Sequence, residues 1–406
     1  MEPVDRGALE RRGFLRALAA VGGAGALGLG GCATARPAAT AGLPFFDAVP
    51  PLAPFRLHAD RIFKITVCLR PFRAQGPRLD TEQVGDKLVV HNYGHGGSGW
   101  SLSWGSGEIA VQKALAGGER DIAVIGCGAL GLTAALIARR AGANVTIYAR
   151  ERLPEARSSR ATGTWSPDSR IALASAAAPD FPALWEQMCR TSFRNFQTFL
   201  GLPGAPVEWT DRYSLTDIPP EEARERRRRE DTIGFAQYQT RVRDLTPRPQ
   251  LLPPGSHPFP APYVTRGTSP QFNIALYGRV LMSEFLQAGG KIEMREFHSP
   301  AELSTLKQKV VINCTGYGAR ALWRDETITP VRGQIAWLIP QPEINYGIQY
   351  RGVTLLSRRD GIVLQQGGQT EAWGYGDANE APDRAEAEGA LAVYADLYSR
   401  MRTARG

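Results

Sequence analysis

Hydrophobic positions in this chain alternate between two spacings. Continuous apolar runs of strand length occur at 60–73 ("DRIFKITVCLRPFR"), before the loop "VVHNYGHGGSGW" (89–100), at "DIAVIG" (121–126), at "VTIYA" and at "KVVIN" (309–313). Between them lie stretches whose apolar residues return every three or four positions, the spacing of one helix face. These are "SLSWGSGEIAVQKAL" (101–115), the run after Gly128, "FPALWEQMCRTSFRNFQTFLG" (181–201), residues 275–288 and "EGALAVYADLYSRM" (388–401). "EEARERRRRED" (221–231) reads as a solvated helix, and "TPRPQLLPPGSHPFPAP" (246–262) as a proline-rich loop.

Strand, glycine loop, helix and second strand succeed one another in "DIAVIGCGALGLTAALIARRAGANVTIYARE". Gly126, Gly128 and Gly131 have the G-x-G-x-x-G spacing: a tight turn, an open approach for pyrophosphate and close helix–strand packing. Ala129 and Leu130 open the helix, whose first amides are free to meet phosphate. Arg150 and Glu151 end the second strand, where an acid binds ribose hydroxyls. The pattern predicts a dinucleotide site without separating FAD from NAD. The strand at 309–313, closing in Thr315-Gly316, resembles the second nucleotide-contacting segment of two-domain FAD oxidoreductases, which favours FAD.

Composition adds bounds. A chain of 406 residues, 43% hydrophobic and 22% charged, suits two globular domains. The net charge of +8 draws much of its excess from 221–231, with no interleaved aromatics, so nucleic acid is not an expected partner. The five histidines show no ligand spacing, and no metal is expected. The five cysteines form no disulfide framework. "ERRGFLR" ahead of a short, weakly apolar run resembles a twin-arginine export signal, and "LGGC" a lipoprotein cleavage box ending at Cys32. Export to the periplasmic side of a bacterial membrane is expected, with a lipid on Cys32 as the membrane link.

"HNYGHGG-x-G" followed by "WG", together with "NCTG", "PVRGQ" (330–334) and "RSSRATGTWSP", resembles the D-amino-acid oxidase family. The resemblance implies an α/β fold, α+β overall: a Rossmann-type FAD-binding domain plus a mixed-sheet substrate domain. By the same match Ser158, Ser159, Gly163, Thr164, Trp165 and Ser166 approach the flavin, and Gly96, Gly99 and Ser101 line it. Gly97 offers its carbonyl to the substrate amine, and Arg70 in "LRPFR" clamps the carboxylate, a task suited to a guanidinium fork. His91 and Tyr93 are expected to pack rather than react. The family places two tyrosines four apart as a lid; Tyr350 fills the first place, but Thr354 stands at the second, with Arg358 a substitute contact.

In the family the "HNYGHGG" segment comes near the C-terminus. Here it precedes the glycine fingerprint, which implies a circular permutation. The expected boundaries are 1–41 for signal and linker, 42–165 and 279–330 for the FAD-binding domain, 166–278 and 331–380 for the substrate domain, and 381–406 for a terminal helix. The activity implied is oxidation of a D-amino acid by hydride transfer from Cα to flavin, with O2 as acceptor. Alternatives are a same-fold amine dehydrogenase using a membrane acceptor, or a flavin-binding envelope protein without turnover.

Overall fold

The computed structural model describes residues 52–401; the twin arginine, Cys32 and the linker lie outside them. The strands are β1 (Ile62–Arg73), β2 (Thr81–Val84), β3 (Lys87–His91), β4 (Asp121–Cys127), β5 (Asn144–Arg152), β6 (Val207–Thr216) and β7 (Gln250–Leu251). Then come β8 (Tyr263–Phe272), β9 (Lys291–Met294), β10 (Val310–Asn313), β11 (Ile328–Leu338), β12 (Tyr346–Tyr350), β13 (Val353–Arg358) and β14 (Gly361–Gln366). The helices are α1 (Gly99–Leu115), α2 (Ala129–Arg140), α3 (Phe181–Gln197), α4 (Pro220–Glu230), α5 (Ile274–Gln287), α6 (Ala319–Leu322) and α7 (Arg384–Ser399).

Two sheets divide the strands. The six-stranded sheet has the order β2-β3-β10-β4-β5-β9, parallel except for β2. Parallel strands are buried on both faces, which is why β4 and β10 read as unbroken apolar runs. The fully buried Val124, Val311 and Ile312 are among them. The eight-stranded sheet has the order β1-β11-β14-β13-β12-β6-β8-β7, antiparallel except where β12 meets β6. The fold is α/β with a mixed second sheet. β1, placed by the sequence reading within 42–165, forms the edge of the eight-stranded sheet, paired with β11 from Ile62 to Arg73. That run could not be assigned to a sheet from its own residues, because pairing depends on a partner far along the chain.

Helices α1, α2 and α5 cover the six-stranded sheet. Thr133 Oγ1 on α2 donates to Ser103 O on α1 at 3.1 Å, and Trp104 Nε1 donates to Tyr277 Oη on α5 at 2.8 Å. α1 crosses α3 at Gly105, where an added Cβ would lie 2.2 Å from Met188 O. Gly105→Ala should therefore force the helices apart and destabilise by about 1–3 kcal/mol. Calorimetry should show a clearly lower Tm, whereas Gly117→Ala, with no atom within 4 Å of the new Cβ, should melt close to the parent. Equal melting of the two variants would refute this account of the α1–α3 contact.

Candidate active site

A cleft of about 2080 Å³ is lined by residues of both sheets. It exceeds the usual small-ligand pocket of roughly 300–1,000 Å³, giving room for a dinucleotide and a second molecule. Of the residues predicted for the site, Arg70, Gly96, Gly97, Gly99, Ser101, Gly126, Gly128, Ala129, Leu130, Arg150, Glu151, Ser158, Gly163–Ser166, Thr315, Gly316 and Tyr350 line it. Two do not. Gly131 is buried at the α2–β4 contact, where a Cβ would meet Gly126 O at 1.9 Å, in keeping with its predicted packing role. Ser159 lies off the cleft wall, its amide closing a turn on Ala156 O.

The nucleotide end is built from backbone. Gly126 sits at φ +105, and a Cβ there would meet Cys314 O at 2.6 Å, so β4 and the end of β10 touch through a bare turn. Leu132 N is the α2 amide that reaches Gly128 O, at 3.0 Å, so the earlier amides have no partner within the helix, and of those residues Ala129 and Leu130 line the cleft. Ser158 Oγ accepts from Ala129 N at 3.0 Å, and Trp100 Nε1 holds the Ser158 carbonyl at 2.8 Å. Ser101 Oγ accepts from Ser166 N at 2.9 Å, binding the start of α1 to the 163–166 turn. These open amides, bare glycines and the acid at Glu151 fit FAD.

The loop "GHGG" is clamped from both sides. Gly96 N donates to Pro71 O at 2.9 Å and Gly97 N to Ser169 O at 3.0 Å. At Gly96, φ +54, a Cβ would fall 1.9 Å from Arg170 O. His95 lines the cleft with both ring nitrogens buried and unpartnered, and burial drives its pKa down to about 3, so the ring is neutral. His91 lies outside the cleft wall. Its Nδ1 meets Asn313 Nδ2 at 3.1 Å, its Nε2 meets Glu82 at 2.9 Å, and Tyr93 and Trp323 pack edge-on against its ring.

One face of the eight-stranded sheet forms the cleft floor. Strand register puts Arg70, Gln365, Thr354, Leu356, Gln349, Gly347 and Arg212 on this face. Arg70 donates to Arg332 O at 3.0 Å and Val331 O at 3.4 Å, and burial lowers its pKa. Gly333 leaves the space that this guanidinium occupies, since a Cβ there would lie 2.3 Å from Arg70 Nη2. Arg73 turns away to Thr327 and Asp325. Tyr350 reaches the cleft, but its hydroxyl donates to Asp217 at 3.0 Å. Arg358, expected as a substitute for the missing tyrosine, is off the cleft: it is buried against Asp360 and the Ala161 carbonyl. Sequence reasoning missed His95, Arg170 and Arg212. β6 was not read from the sequence; the alternation in "VEWTDRYSLT" could have marked it as a strand, but alternation cannot say which residues face a ligand.

A family profile described as DAO, FAD dependent oxidoreductase, matches residues 121–405. The chain belongs to this family. It is 30% identical to a D-amino-acid oxidase of Rubrobacter xylanophilus over 70% of this chain and 78% of that protein. It is 28% identical to a D-amino-acid oxidase of Streptomyces coelicolor over 56% of this chain and 62% of the relative. Among solved structures it is similar to glycine oxidase from Geobacillus kaustophilus, at 14% identity and TM-score 0.47, covering 70% and 80% of the two chains. The protein is an FAD-dependent oxidoreductase.

Gly128→Val tests the cradle. The new side chain would crowd Ser158 Oγ, 2.6 Å from a Cβ at this position, and fill the pyrophosphate approach. Purified variant should lack the visible flavin absorbance that the parent carries, while far-UV circular dichroism stays native-like. A full flavin complement would show that this turn does not hold the cofactor.

Proposed function

We propose that this protein oxidises D-amino acids to the imine, which hydrolyses to a 2-oxo acid and ammonia, with O2 as acceptor and hydrogen peroxide as co-product. Bound FAD supplies the two-electron acceptor for a hydride leaving Cα. The chain's own contribution is orientation. Arg70 presents a guanidinium fork to the α-carboxylate, and Gly97, bare at the loop, presents its carbonyl to the amine. The observation that carries the reading is Arg70 itself. Its guanidinium faces the cleft and pairs with carbonyl oxygens only, so its charge has no carboxylate partner among the described residues.

The decisive experiment is anaerobic mixing of the holoenzyme with D- and L-enantiomers while flavin absorbance is followed. Bleaching by D- but not L-amino acids supports the proposal; bleaching by neither overturns it. Bleaching by D-amino acids with reoxidation by a quinone but not by O2 would replace the oxidase with the dehydrogenase reading. Arg70→Ala should lower kcat/KM by roughly 30- to 1000-fold, on the order of 2–4 kcal/mol, while flavin content stays at the parent level. Arg70→Lys should recover only part, because a point charge does not reproduce the fork. Arg73→Ala, which alters a side chain outside the cleft, should cost much less.

The chain order is read as a circular permutation. β1 and β3, both ahead of the matched segment 121–405, supply strands to the two sheets built by that segment. Phe55 belongs to the same apolar cluster as Leu391, Tyr394 and Leu397 of α7, so the two ends of the described chain share a core, which supports the reading. Export rests on Arg11, Arg12 and Cys32. Replacing both arginines by Lys should strand the protein in the cytoplasm with its flavin spectrum unchanged; unaltered delivery in fractionated cells would refute twin-arginine routing.

A further inference from the structure

Glu371, on the loop after β14, stands where three parts of the cleft wall meet. Arg70 Nη1 donates to Arg332 O at 3.0 Å, and a Cβ at Gly374 would lie 2.2 Å from that same carbonyl oxygen. Arg332 N in turn donates to Gly374 O at 2.8 Å. The turn that carries Glu371 is therefore seated on β11 beside the Arg70 guanidinium. On its other side Arg170 Nε donates to Glu371 O at 2.7 Å, and Arg170 Nη1 donates to Ser169 Oγ at 3.2 Å. A Cβ at Gly97 would lie 2.6 Å from that hydroxyl. Arg70, Gly97 and Glu371 all line the cleft, so one corner of it holds a guanidinium, a bare glycine turn and a carboxylate.

The fold does not use this carboxylate up. Its contacts to Arg170 are long, 3.8 Å from Oε1 to Nη1 and 3.4 Å from Oε2 to the Arg170 amide, and its side chain is 34% exposed. Closed pairs of this chain are tighter, as at Arg332–Glu386, 2.8 Å, and Arg157–Glu380, 2.6 Å. No ion pair joins Glu371 to Arg70 among the described residues, yet its charge reaches that group. Burial lowers the pKa of Arg70, and the Glu371 carboxylate opposes the shift. Burial and the charge of Arg70 bring Arg170 down to about 10, again opposed by Glu371. A cation and an anion thus face the cleft close enough to interact and too far apart to pair. An α-amino acid, with carboxylate and ammonium on one carbon, supplies a partner for each.

We infer that Glu371 binds the ammonium group of the substrate, alongside the Gly97 carbonyl, while Arg70 holds its carboxylate. This rests on the D-amino-acid reading above. A carboxylate accepting from an ammonium makes a charge-assisted hydrogen bond. A carboxylic acid without the amine leaves Glu371 facing a second anion, so Glu371 selects amino acids over plain and 2-hydroxy carboxylic acids. Glu371→Gln keeps an oxygen for the Arg170 amide and removes only the charge. In the flavin-replete variant, kcat/KM for the D-amino acid that the parent oxidises fastest should fall roughly 10- to 100-fold.

A second measurement needs no turnover: 2-aminoisobutyrate and isobutyrate titrated against the flavin spectrum of the holoenzyme. The two differ only in the amino group, and 2-aminoisobutyrate has no hydrogen on Cα to lose as hydride. The parent should bind 2-aminoisobutyrate about tenfold or more tightly than isobutyrate. In Glu371→Gln that preference should vanish, while isobutyrate binds as tightly as before or better. Equal weakening of both ligands would make Glu371 a structural latch for Arg170 and overturn the inference, as would an unchanged kcat/KM. If D-amino acids bleach the parent's flavin but 2-aminoisobutyrate binds no better than isobutyrate, the inference falls and the oxidase reading stands. If no D-amino acid bleaches the flavin while a Glu371-dependent preference for 2-aminoisobutyrate persists, the oxidase reading falls and the ammonium site stands.

Discussion

The cleft depends on one close approach of backbone to backbone. The His95–Gly97 turn lies between Pro71 O on one side and Ser169 O on the other, and the carbonyl of Arg170 occupies the space where any side chain at Gly96 would go. Arg170 itself is held at φ 50, an unfavourable conformation for a residue with a Cβ, kept by its surroundings. Phe72 bridges to His95 as well. The end of β1, the loop after β3 and the loop before α3 are thus fixed as one unit. Arg70 lies two residues before Phe72 on that same strand, so its place on the floor follows from this clamp.

Charge gives the cleft its direction. Elsewhere the fold neutralises buried guanidinium groups with carboxylates, as between Arg332 and Glu386. At Arg70 it offers carbonyl oxygens, and at Arg212 a single carbonyl. Carbonyl dipoles hold a cation in place without cancelling its charge, so the electrostatic demand is passed on to whatever enters. Tyr350 shows the reverse arrangement: its phenol is already bound to Asp217, which also pairs with Arg351. A hydroxyl so engaged is a wall, and the anion-binding capacity of the floor lies with the arginines.

The parts legible in the sequence are those whose meaning is local. Gly126, Gly128 and Gly131 act within one turn, and the helices at 181–201 and 388–401 declare themselves by their own periodicity. The glycines of "HNYGHGG" were legible through a family likeness, and the close approach at Gly96 gives them a physical reason. Long-range features were not legible. β1 reads as a strand, but only its pairing with β11 shows which sheet it joins. Arg358 and Arg212 look alike as strand residues and share one sheet face; Arg358, at the end of β13, is taken up by Asp360 and the Ala161 carbonyl, whereas Arg212, in the middle of β6, lines the cleft. Ser159 sits beside Ser158 in one 3₁₀ turn, yet only Ser158 lines the cleft.

Chain order and spatial order make different physical demands. Arg70 and Val331, neighbours across β1 and β11, are 261 residues apart in sequence. The loop-closure cost of so long a separation grows only logarithmically, by about 0.6 kcal/mol per doubling, which is less than one well-packed side chain contributes. Moving β1 from the far end of the chain to the front would therefore leave stability nearly untouched while changing which contacts are local. What such a move cannot change is the register of β1 against β11, because a slip of one residue would turn Arg70 off the floor and bring its neighbours onto it. Gly333, bare beneath the Arg70 guanidinium, fixes that register from the partner strand.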